Sequence, residues 1–269
     1  MSLELMKVIE SFGGSVSDKL EIYGIASSNE FASGDSISQM IFENMVKFSG
    51  IQNHDLFVIT QKIVSKSESR TMNLNKIEPS LMAIDLGLKT SKDPRLVQLI
   101  LDESKEIIRI DELRGILITE TNQGFICANA GIDSSNVPGD PYVTLLPIDS
   151  DVSAQNIRQE LIKKSGIDDL AVIISDTFGR PWREGHMNFA IGSSGINPFI
   201  DYSNSVDSVG KLLKVTKIAI ADEFAAASEL VTGKVDMVPV VLIRGARFQR
   251  SDSAKISHTL RDKENDLFR

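Results

Sequence analysis

The chain has 269 residues, 42% hydrophobic and 25% charged, with a formal net charge of −8. That balance fits a globular chain and excludes extended disorder, and the acidic excess speaks against a nucleic-acid partner, which asks for a basic face. One cysteine, Cys127, excludes an intramolecular disulfide and a cysteine-cluster metal site and fits a reducing compartment.

In chain order, residues 1–13 lack the basic-then-apolar pattern of a leader. Ile37, Met40, Ile41 and Met45 recur three and four apart and predict a helix. A short Val- and Ile-rich run predicts a strand over residues 56–60. Leu81, Ile84 and Leu88 mark the inner face of a second helix, and residues 96–101 continue that region after Pro94. Strands are expected over residues 107–110, 115–120 and 125–129. Ser153 is placed as the cap of a further helix, with Ile157, Leu161 and Ile162 facing inward. Strands follow over residues 170–175, 187–192 and 215–221, then a helix over 224–231 ended by Gly233, then a strand over 238–244. No run approaches the roughly 20 apolar residues of a membrane span, so the expectation is a soluble cytoplasmic protein with neither membrane nor nucleic acid among its partners.

Strands and helices mix without a β-α-β rhythm, which favours α+β over a doubly wound sheet. No repeat or Gly/Pro-rich linker divides the chain. A boundary near residues 110–115 stays open beside a discontinuous arrangement in which the last third returns to the first.

Four polar segments next to predicted strands carry the chemistry, because rigid elements deliver functional side chains at their ends. In Asn129-Ala130-Gly131-Ile132-Asp133-Ser134-Ser135-Asn136-Val137, Gly131 permits an unusual turn, and Asp133 and Asn136 offer hard oxygens suited to Mg²⁺ or Mn²⁺. An Asx turn bonding only its own backbone explains the same pattern. In Asp176-Thr177-Phe178-Gly179-Arg180-Pro181-Trp182-Arg183, an Asp at the end of an apolar strand resembles the metal-holding Asp of phosphoryl-transfer enzymes. Thr177 adds a hydroxyl, Arg180 and Arg183 offer forks for phosphate or carboxylate, and Trp182 a stacking face. A turn with solvated arginines is the plain alternative. Lys62 and Lys66 of Gln61-Lys62-Ile63-Val64-Ser65-Lys66 suit phosphate as point charges, or are surface lysines. Ala221-Asp222-Glu223 and the alanines that follow read as close helix packing.

Familiar signatures are absent. Gly233-Lys234 is followed by Val235 and Gly210-Lys211 by Leu212, so no standard phosphate loop occurs. There is no G-x-G-x-x-G or G-x-S-x-G, and His54, His186 and His258 lack zinc-ligand spacing.

Taken together, these segments resemble the coenzyme F420:L-glutamate ligase (gamma-glutamyl ligase) family. The resemblance is carried by Gln61 to Lys66, by Ile100-Leu101-Asp102-Glu103-Ser104, by the two Asp segments with their preceding strands, by Ala190-Ile191-Gly192, by Ala221-Asp222-Glu223 and by Ile243-Arg244-Gly245. It extends from about Tyr23 to Gly245. Two departures stand out: Glu68-Ser69-Arg70 replaces the common Glu-Gly-Arg, and Lys234 stands where an acidic or amide residue is expected.

The resemblance implies a two-domain α+β fold with mixed and antiparallel sheets, an interleaved homodimer, and no C-terminal nitroreductase-like domain. It implies ligation of L-glutamate to the F420 precursor, driven by GTP with Mg²⁺ or Mn²⁺ and often K⁺. Carried over by motif, Asp133 and Asp176 hold one metal and Thr177 meets a second. Gln61, Lys62, Lys66 and Asn136 face GTP, Gly24 and Ile25 line its site, and Thr232, Gly233 and Lys234 close over the phosphates. Arg180 or Arg183 binds carboxylates, which puts Arg180 beside Asp133 and Asp176 in the catalytic set. The rival expectations are a ligase with another acceptor, a silent GTP-binding relative, and a phosphohydrolase.

Overall fold

The structure, a computed structural model, describes residues 19–133, 141–203, 209–213, 216–233 and 236–268. In order these form β1 (Glu21–Ile25), α1 (Ile37–Phe48), β2 (Asp55–Thr60), α2 (Gln61–Ser67), β3 (Thr71–Asn73), α3 (Leu81–Thr90), α4 (Pro94–Asp102), β4 (Ser104–Asp111), β5 (Ile116–Thr121), β6 (Ile126–Ala128) and β7 (Tyr142–Thr144). Then come α5 (Ser150–Ser165), β8 (Leu170–Arg180), β9 (Arg183–Ser194), β10 (Ile200–Asp201), β11 (Lys217–Ile218), α6 (Ile220–Thr232) and β12 (Val240–Arg244).

The main sheet has strand order β1-β12-β2-β8-β9. Only β2 and β8 run parallel, and the other pairs are antiparallel. Consecutive residues Leu56, Phe57, Val58 and Ile59 are all buried, as are Leu170 to Ile174. A strand buried at every position lies inside a sheet covered on both faces. Helices α5 and α6 both pack against β8 and β9, and α1 packs on α5. The buried Asp55 carboxylate takes two hydrogen bonds from the Arg244 guanidinium, at 2.7 Å each, and ties β2 to β12.

A separate antiparallel sheet, β4-β5-β6, forms a smaller core with α3 and α4 around Ala83, Leu86, Val97, Ile100 and Leu117. Residues 110–115 lie around the turn of its β4–β5 hairpin. The mixture of parallel, antiparallel and helical layers is α+β, as expected. Among the described residues no helix is long and apolar enough to cross a membrane.

Four expectations are corrected. Helix α5 starts before Ser153: its cap is Asp149, whose carboxylate accepts from the Val152 N–H, while the Ser153 hydroxyl bonds back to the Asp149 carbonyl inside the first turn. Of the strand expected over residues 215–221, only Lys217–Ile218 is strand among the described residues, because helix α6 begins at Ile220 with Asp222 and Glu223 favouring its N-terminus; residue 215 lies outside them. In α3 the predicted inner residues Leu81, Ile84 and Leu88 are exposed. The buried face is Ala83, Leu86, Gly87 and Thr90. Here small residues mark the close approach: a Cβ on Gly87 would lie 3.0 Å from the Lys92 carbonyl. Finally, the segment after Ser175 is not a loop. It continues β8 to Arg180 and returns as β9 in one long hairpin.

Candidate active site

A cavity of about 880 Å³ opens where β2 ends and its pairing with β8 stops, at Thr60 and Ser175. The two strands run parallel, so the helix that follows β2 and the stretch of β8 beyond Ser175 leave the same edge and share one mouth. After β2 the chain turns straight into α2. Lys62 and Lys66, four residues apart, fall on one face of that helix and both line the cavity. Gln61 lines it too, but is pinned: its amide donates to the Leu145 carbonyl at 3.0 Å and to Ser65.

The second carrier is the turn before Asp133. Asn129, Ala130 and Gly131 all have positive φ, at 53°, 54° and 69°. Two successive non-glycine residues in the left-handed region are strained, and such strain gathers at functional positions. Gly131 has no alternative, since a Cβ there would lie 2.9 Å from Leu146. The turn delivers Asp133, whose backbone exchanges two hydrogen bonds with Thr144, at 3.0 and 2.8 Å. Its carboxylate meets the Lys62 ammonium at 2.7 Å.

The third carrier is β8. Its pairing with β9 slips by one residue between Ile174 and Ser175. Such an irregularity re-aims the side chains that follow, and Ser175, Asp176, Thr177 and Phe178 line the cavity. Thr177 lies opposite Asn188 on β9 and donates its hydroxyl to the Asn188 Oδ1 at 2.7 Å. The Asn188 amide nitrogen donates in turn to Glu229 of α6 at 3.0 Å. Near Asp176, burial pushes the Cys127 thiol up to about 12. The Asp176 charge adds to that shift and a backbone bond with Gly131 works against it.

The cavity therefore gathers Gln61, Lys62, Lys66, Asp133, Asp176 and Thr177, with Thr232 and Gly233 at the end of α6. Gly24 and Ile25 do not line it; they pair with Val241 and Val240 in the main sheet, and the lining begins two residues on, with Ser27, Asn29, Glu30 and Phe31. Arg180 also stands outside the lining, where it donates to the Gly185 carbonyl at 3.2 Å. Trp182 lies at the hairpin tip, 87% exposed, edge-on to Phe268. Asn136 and Lys234 fall outside the described residues.

Sequence reading missed Glu30, which pairs with Lys66 at 2.6 Å, and both Asn188 and Glu229. No motif marks them: each reads as an ordinary polar residue of a loop, strand or helix, and only the folded chain brings them to the cavity.

Among the described residues no three His, Cys, Asp or Glu side chains cluster as a metal centre. The cavity nevertheless offers mostly hard oxygens, the carboxylates of Glu30, Asp133, Asp176 and Glu229 and the Thr177 hydroxyl, beside the His186 imidazole. Mg²⁺ needs only one or two carboxylates when phosphate and water complete its shell, so this donor set fits a hard divalent cation brought with a nucleotide.

The family model described as F420-0:gamma-glutamyl ligase matches residues 27–245. The chain is 42% identical to the coenzyme F420:L-glutamate ligase of Methanothermobacter thermautotrophicus, over 93% of this chain and 99% of that one. It is 40% identical to the enzyme of that name from Methanocaldococcus jannaschii, over 93% and 97%, and 39% identical to that of Methanopyrus kandleri, over 88% and 92%. With part of the cavity's lining drawn from the segments that carry the resemblance, and with matches over nearly the whole chain, the chain belongs to the F420-0:gamma-glutamyl ligase family.

Proposed function

We propose that this chain is a cytoplasmic ligase that uses GTP to join L-glutamate to the F420 precursor through a gamma-glutamyl amide. The observation that carries the reading is the convergence of Lys62 and Lys66 with Asp133 and Asp176 at one cavity. Amide formation from a free carboxylate is uphill in water, so the carboxylate is first activated. The γ-phosphoryl group passes to the precursor's terminal carboxylate, GDP leaves, and the glutamate amine displaces phosphate from the acyl phosphate. Lys62 and Lys66 bind phosphate oxygens and offset the charge that builds on them. Asp133, Asp176 and Thr177 would hold Mg²⁺ or Mn²⁺, which supplies Lewis-acid stabilisation of the transferring phosphoryl group. K⁺ is a further cation of this reading. Arg180, at the hairpin tip, serves as a carboxylate fork in this scheme if the hairpin closes over substrate. The exposed apolar residues of α3, with Leu81 at 86% and Leu88 at 77%, support a homodimer.

The test is incubation with GTP, Mg²⁺ or Mn²⁺, L-glutamate and the unglutamylated precursor, read by product mass. A species heavier by one or more glutamyl units, dependent on GTP and divalent metal, is expected. GTP hydrolysis with no mass shift overturns the acceptor and favours a phosphohydrolase.

A further inference from the structure

Donor and acceptor polarity fixes a chain of three side chains beside the cavity. Glu229 is a carboxylate and only accepts, so the Asn188 group facing it at 3.0 Å is the amide nitrogen. That orients the Asn188 Oδ1 toward Thr177, at 2.7 Å. A threonine hydroxyl has a single proton, and here it goes to Asn188. Every other polar contact of the Thr177 hydroxyl oxygen is therefore made through its lone pairs. Asn188 is itself buried, 4% exposed, on β9, and Glu229 is anchored on α6, so the chain bridges two elements packed on β8.

We infer that Asn188, held by Glu229, is a positioning residue that commits the Thr177 hydroxyl to face the cavity as an electron-pair donor for a divalent cation. This rests on the proposed cation and nucleotide chemistry of the same cavity. Ligand-orienting partners of this kind typically set metal affinity by about ten- to a hundredfold. Without Asn188 the hydroxyl can turn its proton toward the cavity, where it repels a cation.

The experiment is Mn²⁺ binding to the enzyme with GTP, read from the free-Mn²⁺ electron paramagnetic resonance signal. The variants are Asn188→Leu, Asn188→Asp and the pair Asn188→Asp with Glu229→Gln. Asn188→Leu keeps the volume and removes the acceptor, and about tenfold weaker binding is expected. Asn188→Asp keeps acceptor oxygens but sets two carboxylates against each other, which turns residue 188 away from Glu229 and from Thr177 and should weaken binding likewise. The double variant reverses the outer bond: the amide introduced at position 229 donates to the carboxylate introduced at position 188, which again offers Thr177 an acceptor. Its Mn²⁺ affinity should return to within about threefold of the unsubstituted protein, a rescue that mere packing would not give. Unsubstituted affinity in Asn188→Leu, or no rescue in a folded double variant, overturns the inference while leaving the cation reading standing. No Mn²⁺ binding by the unsubstituted protein overturns both.

Discussion

Two carboxylates reach one cavity by opposite means. Asp176 rides on a strand whose preceding residues are buried and paired on both sides, just past the one-residue slip at Ile174 and Ser175. Asp133 follows three successive residues of left-handed backbone and is pinned by two bonds to Thr144. The strand places its carboxylate as a by-product of core formation. The turn holds its carboxylate against local backbone preference, so its position depends on Gly131 and on the packing of Leu146 against it. A strand-borne group should therefore tolerate changes in its neighbours that a turn-borne group does not.

The largest effect tests what the two share. Asp133→Asn and Asp176→Asn each remove a negative charge from a site that, in the proposed function, retains a divalent cation. Each should lower turnover about a thousandfold, equivalent to about 4 kcal/mol of transition-state stabilisation, with the fold intact by circular dichroism. Near-normal turnover in both at saturating metal would sink the assignment; loss in only one would break the symmetry of the pair.

The next effect separates them. Gly131→Ala adds a Cβ that meets Leu146 at 2.9–3.0 Å and forces alanine to a φ of 69°. Strain of about 1–2 kcal/mol plus the clash should cost about 2–4 kcal/mol, measured by thermal or denaturant unfolding. On the Asp176 side, a Cβ on Gly179 meets nothing within 4 Å. Gly179→Ala should leave stability within about 0.5 kcal/mol of the starting value. Equal losses in the two variants would remove the contrast.

How much of this was legible follows the same division. The strand over residues 170–175 announces itself by an unbroken apolar run, and the helix over 224–231 by its periodicity and Gly233. The stretch after Ser175 does not: Asp, Thr, Gly, Arg and Pro in quick succession look like a loop, yet cross-strand pairing from Asp176↔Phe189 to Arg180↔Arg183 makes it a hairpin. Tertiary pairing overrides local propensity there. Helix α3 misleads differently, because Ala83 and Gly87 mark the buried face by fitting closely, and hydrophobicity points the other way. At the cavity, Lys62, Lys66, Asp133, Asp176 and Thr177 were singled out from the chain alone, and the fold brings all five together. Glu30, Asn188 and Glu229 carry no local signal, since their importance lies in which residues they meet.

A smaller effect asks which carboxylate Cys127 feels. Its pKa is raised from an ordinary 9.0 to about 12, first by burial and then by the Asp176 charge. Between those values the unfolded chain gives up the thiol proton while the folded chain keeps it. The folded state then binds more protons, so stability falls as pH climbs from about 9 towards 12 and is unaffected below about 9. Cys127→Ala should remove that slope in unfolding measured across the window. Asp176→Asn should bring the thiol pKa down, read by thiolate ultraviolet absorbance, and Asp133→Asn should not, since of the two carboxylates only Asp176 contributes to the shift. A matching fall in both would mean that the two carboxylates surround the thiol alike.

The smallest effect sharpens the contrast most. Ala130 has a φ of 54° inside the turn, a conformation that costs a non-glycine residue about 1–2 kcal/mol. Ala130→Gly relieves that strain but loosens the unfolded chain by about 0.5–1 kcal/mol, so a net gain of about 0.5–1 kcal/mol is expected. In a chain of this size that is a rise of a few degrees at most in Tm. If the strain serves to hold Asp133 at the cavity, the same substitution should weaken Mn²⁺ binding with GTP even as the fold becomes more stable. Gain of stability with unchanged binding would make the strained turn a tolerated accident of close packing against Leu146. Loss of both would mean that the Ala130 methyl, which is 1% exposed, matters more to the small core than its backbone costs.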